Sequence, residues 1–213
     1  MLNRRSFSSS LVLPVVTAAA IHPLFAQAAT ATVGQAAPEF SALDTAGKSH
    51  QLSDFKGKLV VLEWTNPGCP FVRKHYSGDA VGNMQSLQKE FTGKGVVWLA
   101  VNSTETGSVD YLAPAKLAVW MGEKQARPSA TLMDESGKIG QLYGAKTTPH
   151  MYIVSPQGVL VYAGGIDSVA SARVDDIKTA TNYMRQGLNE VLGGKGISMA
   201  STKAYGCSVK YKA

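Results

Sequence analysis

The sequence predicts a single α/β domain in which a central sheet is flanked by helices. Two runs, Leu59–Leu62 and Val96–Asn102, are apolar without alternating polar residues, which is typical of strands buried on both faces of a sheet. Strand-like and helix-like segments alternate along the chain, and the apolar residues of Val174–Leu192 fall on one side of a helix. This alternation, without an internal repeat or a low-complexity linker, indicates an α/β sandwich in one domain.

The elements before the first helix predict a hairpin that leads into the sheet. Glu39–Leu43 and Ser49–Leu52 flank the turn residues Asp44-Thr45-Ala46-Gly47. The buried strand Leu59–Leu62 follows. We expect a helix after Cys69, and Asn83–Phe91 is either its continuation or a second helix.

The second half of the chain predicts the remaining elements. They are a mostly helical stretch over Ser108–Gln125 with Pro114 in its first turn, a strand over Ser129–Met133, a turn-rich helical piece over Gly137–Gly144, a hairpin of His150–Val154 with Val159–Ala163, and the helix Val174–Leu192. A polar tail, residues 193–213, carries Cys207, and we expect Tyr205 and Tyr211 to dock it on the domain.

Residues 1–28 have the composition of an export signal. Arg4-Arg5 precede a mildly apolar run, Leu11–Phe25, that two prolines interrupt, and Ala26-Gln27-Ala28 supplies the small residues of a cleavage site. We expect a signal of the twin-arginine type that is cleaved after Ala28 and directs the protein to the periplasm. The run is too short and too interrupted to span about 30 Å of hydrocarbon comfortably, so no stable membrane insertion is expected after cleavage.

Charge and cysteine content exclude several classes of protein. The formal net charge is +6, and removal of residues 1–28 takes away two arginines and no acid, which leaves +4. Basic residues do not cluster as a nucleic-acid footprint requires, so no nucleic-acid partner is expected. Two cysteines in an oxidising compartment can form one disulfide, which is too few for a disulfide-stapled small fold. Residues 29–192 must therefore form a domain with a hydrophobic core.

Cys69 lies where chemistry commonly occurs in such a sheet. The stretch EWTNPGCPFVRKHY takes the chain from a buried strand through a loop into a helix whose first turn holds Pro70. Ligands collect at the carboxyl ends of strands in open α/β sheets, and a helix N-terminus stabilises the nucleophilic thiolate. We therefore expect a lowered thiol pKa. The alternative is that Cys69 is a small buried hydrophobe, which is the commonest role of a free cysteine.

From Gly34 to Leu192 the chain resembles the thioredoxin-fold redoxins, which include peroxiredoxins of the AhpC/TSA type and the periplasmic TlpA/ResA-like thiol oxidoreductases. The segment GQAAPEFSALDTAGKSHQLSDFKGK is similar to their first hairpin. The strand, the loop and the Cys-Pro that begins a helix are similar to their active-site element. Thr148-Pro149, before HMYIV, is similar to their cis-proline. The resemblance implies a thioredoxin-like fold: a central mixed sheet flanked by helices, with an N-terminal hairpin extension and a C-terminal tail.

The resemblance also implies a role for several residues. Cys69 would be the attacking cysteine, and Thr148 with Pro149 would leave a backbone group free for an extended substrate. Glu63 would be the buried acid that accepts a proton, although a strand-end glutamate that points to solvent is an equal alternative. Because some peroxiredoxins carry a resolving cysteine in a C-terminal tail, the resemblance implies that Cys207 pairs with Cys69.

Three positions depart from the motifs of these families. Val72 stands where thioredoxins have the second cysteine of Cys-x-x-Cys. Leu62 and Asn66 stand at the proline and threonine of the peroxiredoxin motif Pro-x-x-x-Thr-x-x-Cys, although Thr65 is adjacent. Thr65 and Asn66 are therefore candidate substrate-binding residues, and the substrate is left open between a peroxide and a disulfide.

These observations predict an exported thiol-dependent antioxidant oxidoreductase without a cofactor. Cys69 would attack a peroxide or a protein disulfide, Cys207 would resolve the product, and an external dithiol would reduce the pair. One alternative is a thiol-disulfide oxidoreductase without peroxidase activity. Another is a non-catalytic binding module stapled by a Cys69–Cys207 bond.

A copper chaperone that uses Cys69 with a histidine is a further alternative, because thiolate and imidazole both suit copper. The spacing of Cys69 and His75 matches no established metal pattern, so no metal site is predicted. We expect His75 on the helix surface and His150 in packing or on the substrate face.

Overall fold

The computed structural model describes residues 30–77 and 82–212. The predicted export signal, residues 1–28, lies outside them. Within the two described ranges, no helix combines the length and the apolar character needed to cross a membrane.

The fold consists of a mixed sheet, a small separate ladder and five α-helices in the described ranges. In chain order the elements are β1 (Ser41–Asp44), β2 (Ser49–Gln51), a 3-10 turn (Leu52–Phe55), β3 (Val60–Trp64), α1 (Pro70–His75), α2 (Asn83–Thr92), β4 (Val97–Asn102), α3 (Pro114–Glu123), β5 (Ala130–Met133), α4 (Lys138–Tyr143), β6 (Thr147–Thr148), β7 (His150–Val154), β8 (Leu160–Gly164), a second 3-10 turn (Val174–Lys178), α5 (Tyr183–Leu192) and β9 (Cys207–Ser208).

The large sheet has the strand order β2-β1-β5-β4-β3-β7-β8. Its centre is parallel, because β3 pairs with β4 and β4 with β5 in that sense, whereas β7 runs antiparallel to β3. The predicted hairpin forms β1 and β2. Strands β6 and β9 form the separate two-stranded ladder, which joins the tail to the domain.

Strand β3 is buried on both faces, as the apolar run predicts, and it divides two hydrophobic cores. Leu62 and Trp64 face one core, which also contains Tyr152. Val61 faces the other, which contains Cys69 and the helices α1, α2 and α5. The candidate cysteine therefore lies in the second core, at the end of the central strand.

The predicted mostly helical stretch Ser108–Gln125 contains α3, which begins at Pro114 as expected, because the fixed φ and missing N–H of proline suit a first turn. The helical prediction was wrong at one place. The predicted helix Val174–Leu192 is split into a 3-10 turn and α5. The interruption occurs because the Thr181 carbonyl accepts from the Ser168 amide at 3.0 Å, and the Asn182 side chain then caps α5 by accepting from the Arg185 amide at 2.9 Å.

Candidate active site

The loop after β3 holds Cys69 at the start of α1. The Asn66 side chain accepts from the Gly68 amide at 2.7 Å and donates to the Thr104 hydroxyl at 3.3 Å, which fixes the turn between strand and helix. Cys69 is the N-cap residue and Pro70 occupies the first helical turn. Because both ends of the loop are fixed, the sulfur has a defined position in the second core, and Cys69 is only 2% exposed.

The Cys69 sulfur contacts the segment before Pro149. As a thiol it donates to the Thr148 carbonyl, with the sulfur 3.1 Å from the oxygen. The Thr148–Pro149 peptide bond is cis, as predicted. The Thr148 hydroxyl is buried and has no hydrogen-bond partner among residues 30–77 and 82–212.

The tail brings Cys207 to the same place. Strand β9 pairs antiparallel with β6, and Cys207 is the partner of Thr148 in this ladder. Burial raises the pKa of the Cys69 thiol, but hydrogen bonding with the Cys207 thiol and with the backbone of Cys207 and Val72 outweighs it. The pKa of Cys69 is therefore lowered, as expected.

The pKa of the Cys207 thiol is shifted in the opposite direction. Burial raises it, and so do the hydrogen bond with Cys69 and the negative charge of the Cys69 thiolate. When the pair ionises, Cys69 is therefore expected to lose its proton before Cys207. Both cysteines are free in this structure, and a disulfide between them stays a prediction.

Gly206 permits the close approach of the tail to Thr148. Its φ of +127° is one that residues with a side chain rarely adopt. A Cβ atom at this position would lie 2.0 Å from the Thr148 carbonyl oxygen. The glycine that precedes Cys207 is therefore required for the β6–β9 contact.

Glu63 is the buried acid that the resemblance implies and does not point to solvent. Its side chain is fully buried on β3, and it accepts from the Tyr76 hydroxyl at 2.7 Å, from the Trp98 indole at 2.8 Å and from the Gln88 amide at 3.1 Å. Burial raises the pKa of this carboxyl, while the three hydrogen bonds oppose the shift. Tyr76 directly follows α1, so the carboxylate is connected to the helix that begins after Cys69.

Thr65 and Asn66 are both buried in the loop. Asn66 uses both of its side-chain groups within the protein, whereas the Thr65 hydroxyl has no hydrogen-bond partner in the described part of the chain. Their predicted contact with substrate stays a prediction.

The expectation for His75 was wrong, because its side chain is fully buried rather than on the helix surface. Burial lowers its pKa to about 4; the charge of Asp167 opposes the shift and that of Lys74 adds to it. Burial likewise lowers the pKa of His150 to about 4, with the charge of Lys146 adding to the shift. Among the described residues, no group of three or more histidine, cysteine, aspartate or glutamate side chains is arranged to hold a metal ion.

Sequence reasoning missed the residues that surround these groups. The donors to Glu63 come from α2, β4 and the end of α1, and no local pattern joins them. The docking of the tail by Tyr205 and Tyr211, in contrast, was expected from the sequence, and both hydroxyls donate to residues of the domain.

Residues 33–163 match the AhpC/TSA family. This chain belongs to the AhpC/TSA family. The family match contains Cys69, Glu63, Thr148 and Pro149, and it ends before the tail that carries Cys207.

Individual proteins similar to this AhpC/TSA member include oxidoreductases. The thiol-disulfide oxidoreductase ResA of Bacillus subtilis is 28% identical over 139 residues, which are 65% of this chain and 70% of ResA. A structure of a hypothetical protein from Sinorhizobium meliloti is 21% identical with a TM-score of 0.72, covering 86% of this chain and 97% of that protein.

The thioredoxin domain of a thiol-disulfide oxidoreductase from Bacteroides vulgatus has a TM-score of 0.50 at 22% identity, over 70% of this chain and 98% of that domain. The fold is thus thioredoxin-like, and the chain is related to thiol-disulfide oxidoreductases.

Proposed function

We propose that this protein is a thiol-disulfide oxidoreductase in which Cys69 attacks a disulfide and Cys207 resolves the product. The observation that carries the proposal is the position of Cys207, which is the strand partner of Thr148, the residue whose carbonyl oxygen lies 3.1 Å from the Cys69 sulfur. The similarity to ResA favours a disulfide over a peroxide as the substrate.

In the first step the Cys69 thiolate attacks one sulfur of a disulfide R–S–S–R′. A bond forms between Cys69 and R as the S–S bond breaks, and R′ leaves as a thiolate that takes up a proton from water. The lowered pKa of Cys69 raises the fraction of thiolate and hence the rate of attack.

In the second step Cys207 attacks the Cys69 sulfur of the mixed disulfide. The negative charge of Cys69, which raised the pKa of Cys207, has then been consumed, so Cys207 loses its proton more readily. R leaves as a thiolate, a Cys69–Cys207 disulfide forms, and two electrons have passed from the pair to the substrate. An external dithiol then reduces this bond and is itself oxidised to a disulfide.

Glu63 is the proposed acceptor for the proton that Cys207 releases. Burial raises the pKa of its carboxyl, and a carboxylate whose pKa is closer to the working pH is a better general base. In this proposal Thr148 and Pro149 position the reacting sulfurs, while Thr65 and Asn66 hold the loop beside them.

A second candidate is reduction of a small peroxide. The near-complete burial of Cys69 favours it, because a small oxidant meets less obstruction than a protein does. Cys69 would attack one peroxide oxygen and become a sulfenic acid as the other oxygen leaves, and Cys207 would condense with it to give the disulfide and water.

We also propose that the protein works in the periplasm. The support is the Arg4-Arg5 pair with the interrupted apolar run and small residues that follow. N-terminal sequencing of the protein recovered from the periplasm tests this, and an N-terminus at Ala29 is expected.

The test of function compares the reduced protein with glutathione disulfide and with hydrogen peroxide under identical conditions. We expect thiol loss with the disulfide that disappears in Cys69→Ser. In Cys207→Ser we expect a stable adduct of one glutathione on Cys69. Loss of thiol at the rate of a simple thiol with both oxidants would contradict the proposal. A Cys69–Cys207 bond that resists mild reductants would indicate a structural staple instead.

A further inference from the structure

The tail covers the candidate site as one continuous docked segment. It runs beside β8, where the Ala163 amide donates to the Ala200 carbonyl at 3.1 Å. It then passes Thr148 at β9 and ends beside α4, where the Tyr211 hydroxyl donates to the Ala145 carbonyl at 2.7 Å. Cys69 lies beneath this segment, so the position of the tail governs both access to Cys69 and the distance of Cys207 from it.

A buried polar cluster anchors this segment two residues before Cys207. The Tyr205 side chain is buried, and its hydroxyl donates to Asp167 Oδ1 at 2.5 Å. The same hydroxyl oxygen lies 3.1 Å from His75 Nε2. Asn83 Nδ2 lies 2.9 Å from His75 Nδ1, so a neutral His75 accepts from Asn83 and donates from Nε2 to Tyr205.

Lys74 completes the cluster and supplies its positive charge. Its Nζ atom lies 3.5 Å from Asp167 Oδ2, donates to the Val169 carbonyl at 3.1 Å and lies 5.6 Å from the centre of the Tyr205 ring. Both charged side chains are buried. Asp167 Oδ1 accepts from the Tyr205 hydroxyl and from the Val169 amide at 3.0 Å. Removal of the Tyr205 hydroxyl would therefore cost this buried carboxylate one of its hydrogen bonds.

The cluster connects the two cysteines through short pieces of chain. Lys74 and His75 lie in α1, which begins immediately after Cys69, and Tyr205 is separated from Cys207 by Gly206 alone. Asp167 lies in the loop that follows β8. Both cysteines are therefore close in sequence to residues of the same buried cluster.

We propose that Tyr205 is a positioning residue that latches the tail through Asp167 and His75. It thereby sets how readily Cys207, rather than an external thiol, forms a bond with the Cys69 sulfur. This deepens the proposed function, because it assumes that Cys69 and Cys207 are the redox pair. The closed latch raises the effective concentration of the Cys207 thiol at Cys69. Its opening exposes Cys69 to a larger substrate.

The test equilibrates the full-length protein with buffers of reduced and oxidised glutathione. Two protein thiols and one glutathione disulfide are converted to the protein disulfide and two glutathione thiols, so the equilibrium reports the effective concentration of the pair. We expect Tyr205→Phe to lower it about tenfold, which corresponds to about 30 mV for a two-electron couple. Tyr143→Phe is the matched control, because it also loses a buried hydroxyl. That hydroxyl donates at 2.7 Å to the carbonyl of Pro38, a residue that does not belong to the tail.

Hydrogen exchange of the reduced protein provides a readout that needs no disulfide. We expect the amides of residues 207–209 to exchange about tenfold faster in Tyr205→Phe and to be unchanged in Tyr143→Phe. Unchanged exchange, or an effective concentration within twofold of the wild type, would overturn the latch. A wild-type protein that forms no Cys69–Cys207 bond in any buffer would refute the proposed function, while the exchange comparison would still decide whether Tyr205 holds the tail.

Discussion

Cys207 is the strand partner of Thr148, whose carbonyl oxygen accepts from the Cys69 thiol at 3.1 Å. One residue thus contacts both cysteines, although they are far apart in the sequence. In the proposed function, the domain and its tail each supply one cysteine of a redox pair that thioredoxins form within a single Cys-x-x-Cys motif. Removal of either contact should change the chemistry of the other cysteine.

The Cys207 thiol is expected to lower the pKa of Cys69 in solution. Replacement Cys207→Ala removes a hydrogen-bond donor beside the Cys69 sulfur, so the pKa of Cys69 should rise. The rate of alkylation by iodoacetamide as a function of pH measures it. Cys207→Ser is the matched control, because its hydroxyl can still donate and should shift the pKa less. Identical profiles for the wild type and Cys207→Ala would show that Cys207 does not lie against Cys69.

Gly206→Ala should displace the tail from Thr148. A Cβ atom would collide with the Thr148 carbonyl, and the φ of +127° is unfavourable for alanine. We expect Cys69 in the reduced variant to react with a bulky maleimide about tenfold faster than in the wild type. Gly196→Ala changes another tail glycine, one with no atom within 4 Å of the added Cβ, and should react like the wild type. Equal rates in all three proteins would refute the covering role of the tail.

Glu63→Gln should destabilise the fold. The carboxylate accepts from Tyr76, Gln88 and Trp98, whereas a glutamine amide would point an NH₂ group at one or more of these donors. A buried donor left without an acceptor costs about 1–3 kcal/mol. Urea unfolding measures this loss, and the exposed Glu123→Gln should leave the free energy of unfolding within about 0.5 kcal/mol of the wild type. Equal midpoints for the two variants would mean that the network around Glu63 contributes little.

The free energy of unfolding should fall as the pH falls from about 6.5 to about 4. His75 and His150 titrate near 6.5 when unfolded, and burial lowers both pKa values to about 4 in the folded protein. In this window the unfolded chain takes up protons that the folded chain does not. The free energy of unfolding is therefore highest above pH 6.5. It falls toward pH 4 by on the order of 3 kcal/mol per histidine.

Urea unfolding of the wild type and of His150→Gln across this pH range measures the effect. Acidic groups contribute equally to both curves, so the difference between the curves isolates His150. We expect the difference in the free energy of unfolding to change steadily between pH 6.5 and 4. Parallel curves would contradict the lowered pKa.

The sequence was sufficient to predict the strands that form the sheet and the position of Cys69 at the end of β3. Apolar runs such as Leu59–Leu62 indicate a strand that is buried on both faces, and the loop followed by Pro70 indicates the start of a helix. The split of the predicted helix before Tyr183 was missed because it depends on a hydrogen bond with Ser168, which lies in the loop before that helix and is not part of its periodic pattern.

The burial of His75 was missed for a related reason. Helical periodicity shows which residues share a face but not which faces a tail covers later in the chain. His75 is enclosed by Tyr205, 130 residues away in sequence. Only tertiary structure brings such partners together, so this part of the site was beyond the reach of local patterns.

The most direct measurement is disulfide mapping after a single turnover. Reduced protein is mixed with an equimolar amount of glutathione disulfide, quenched with acid, alkylated and digested. We expect one peptide pair that joins Cys69 to Cys207, and a Cys69–glutathione adduct in Cys207→Ser. Two alkylated cysteines, or glutathione attached to Cys207 with Cys69 unchanged, would contradict this expectation.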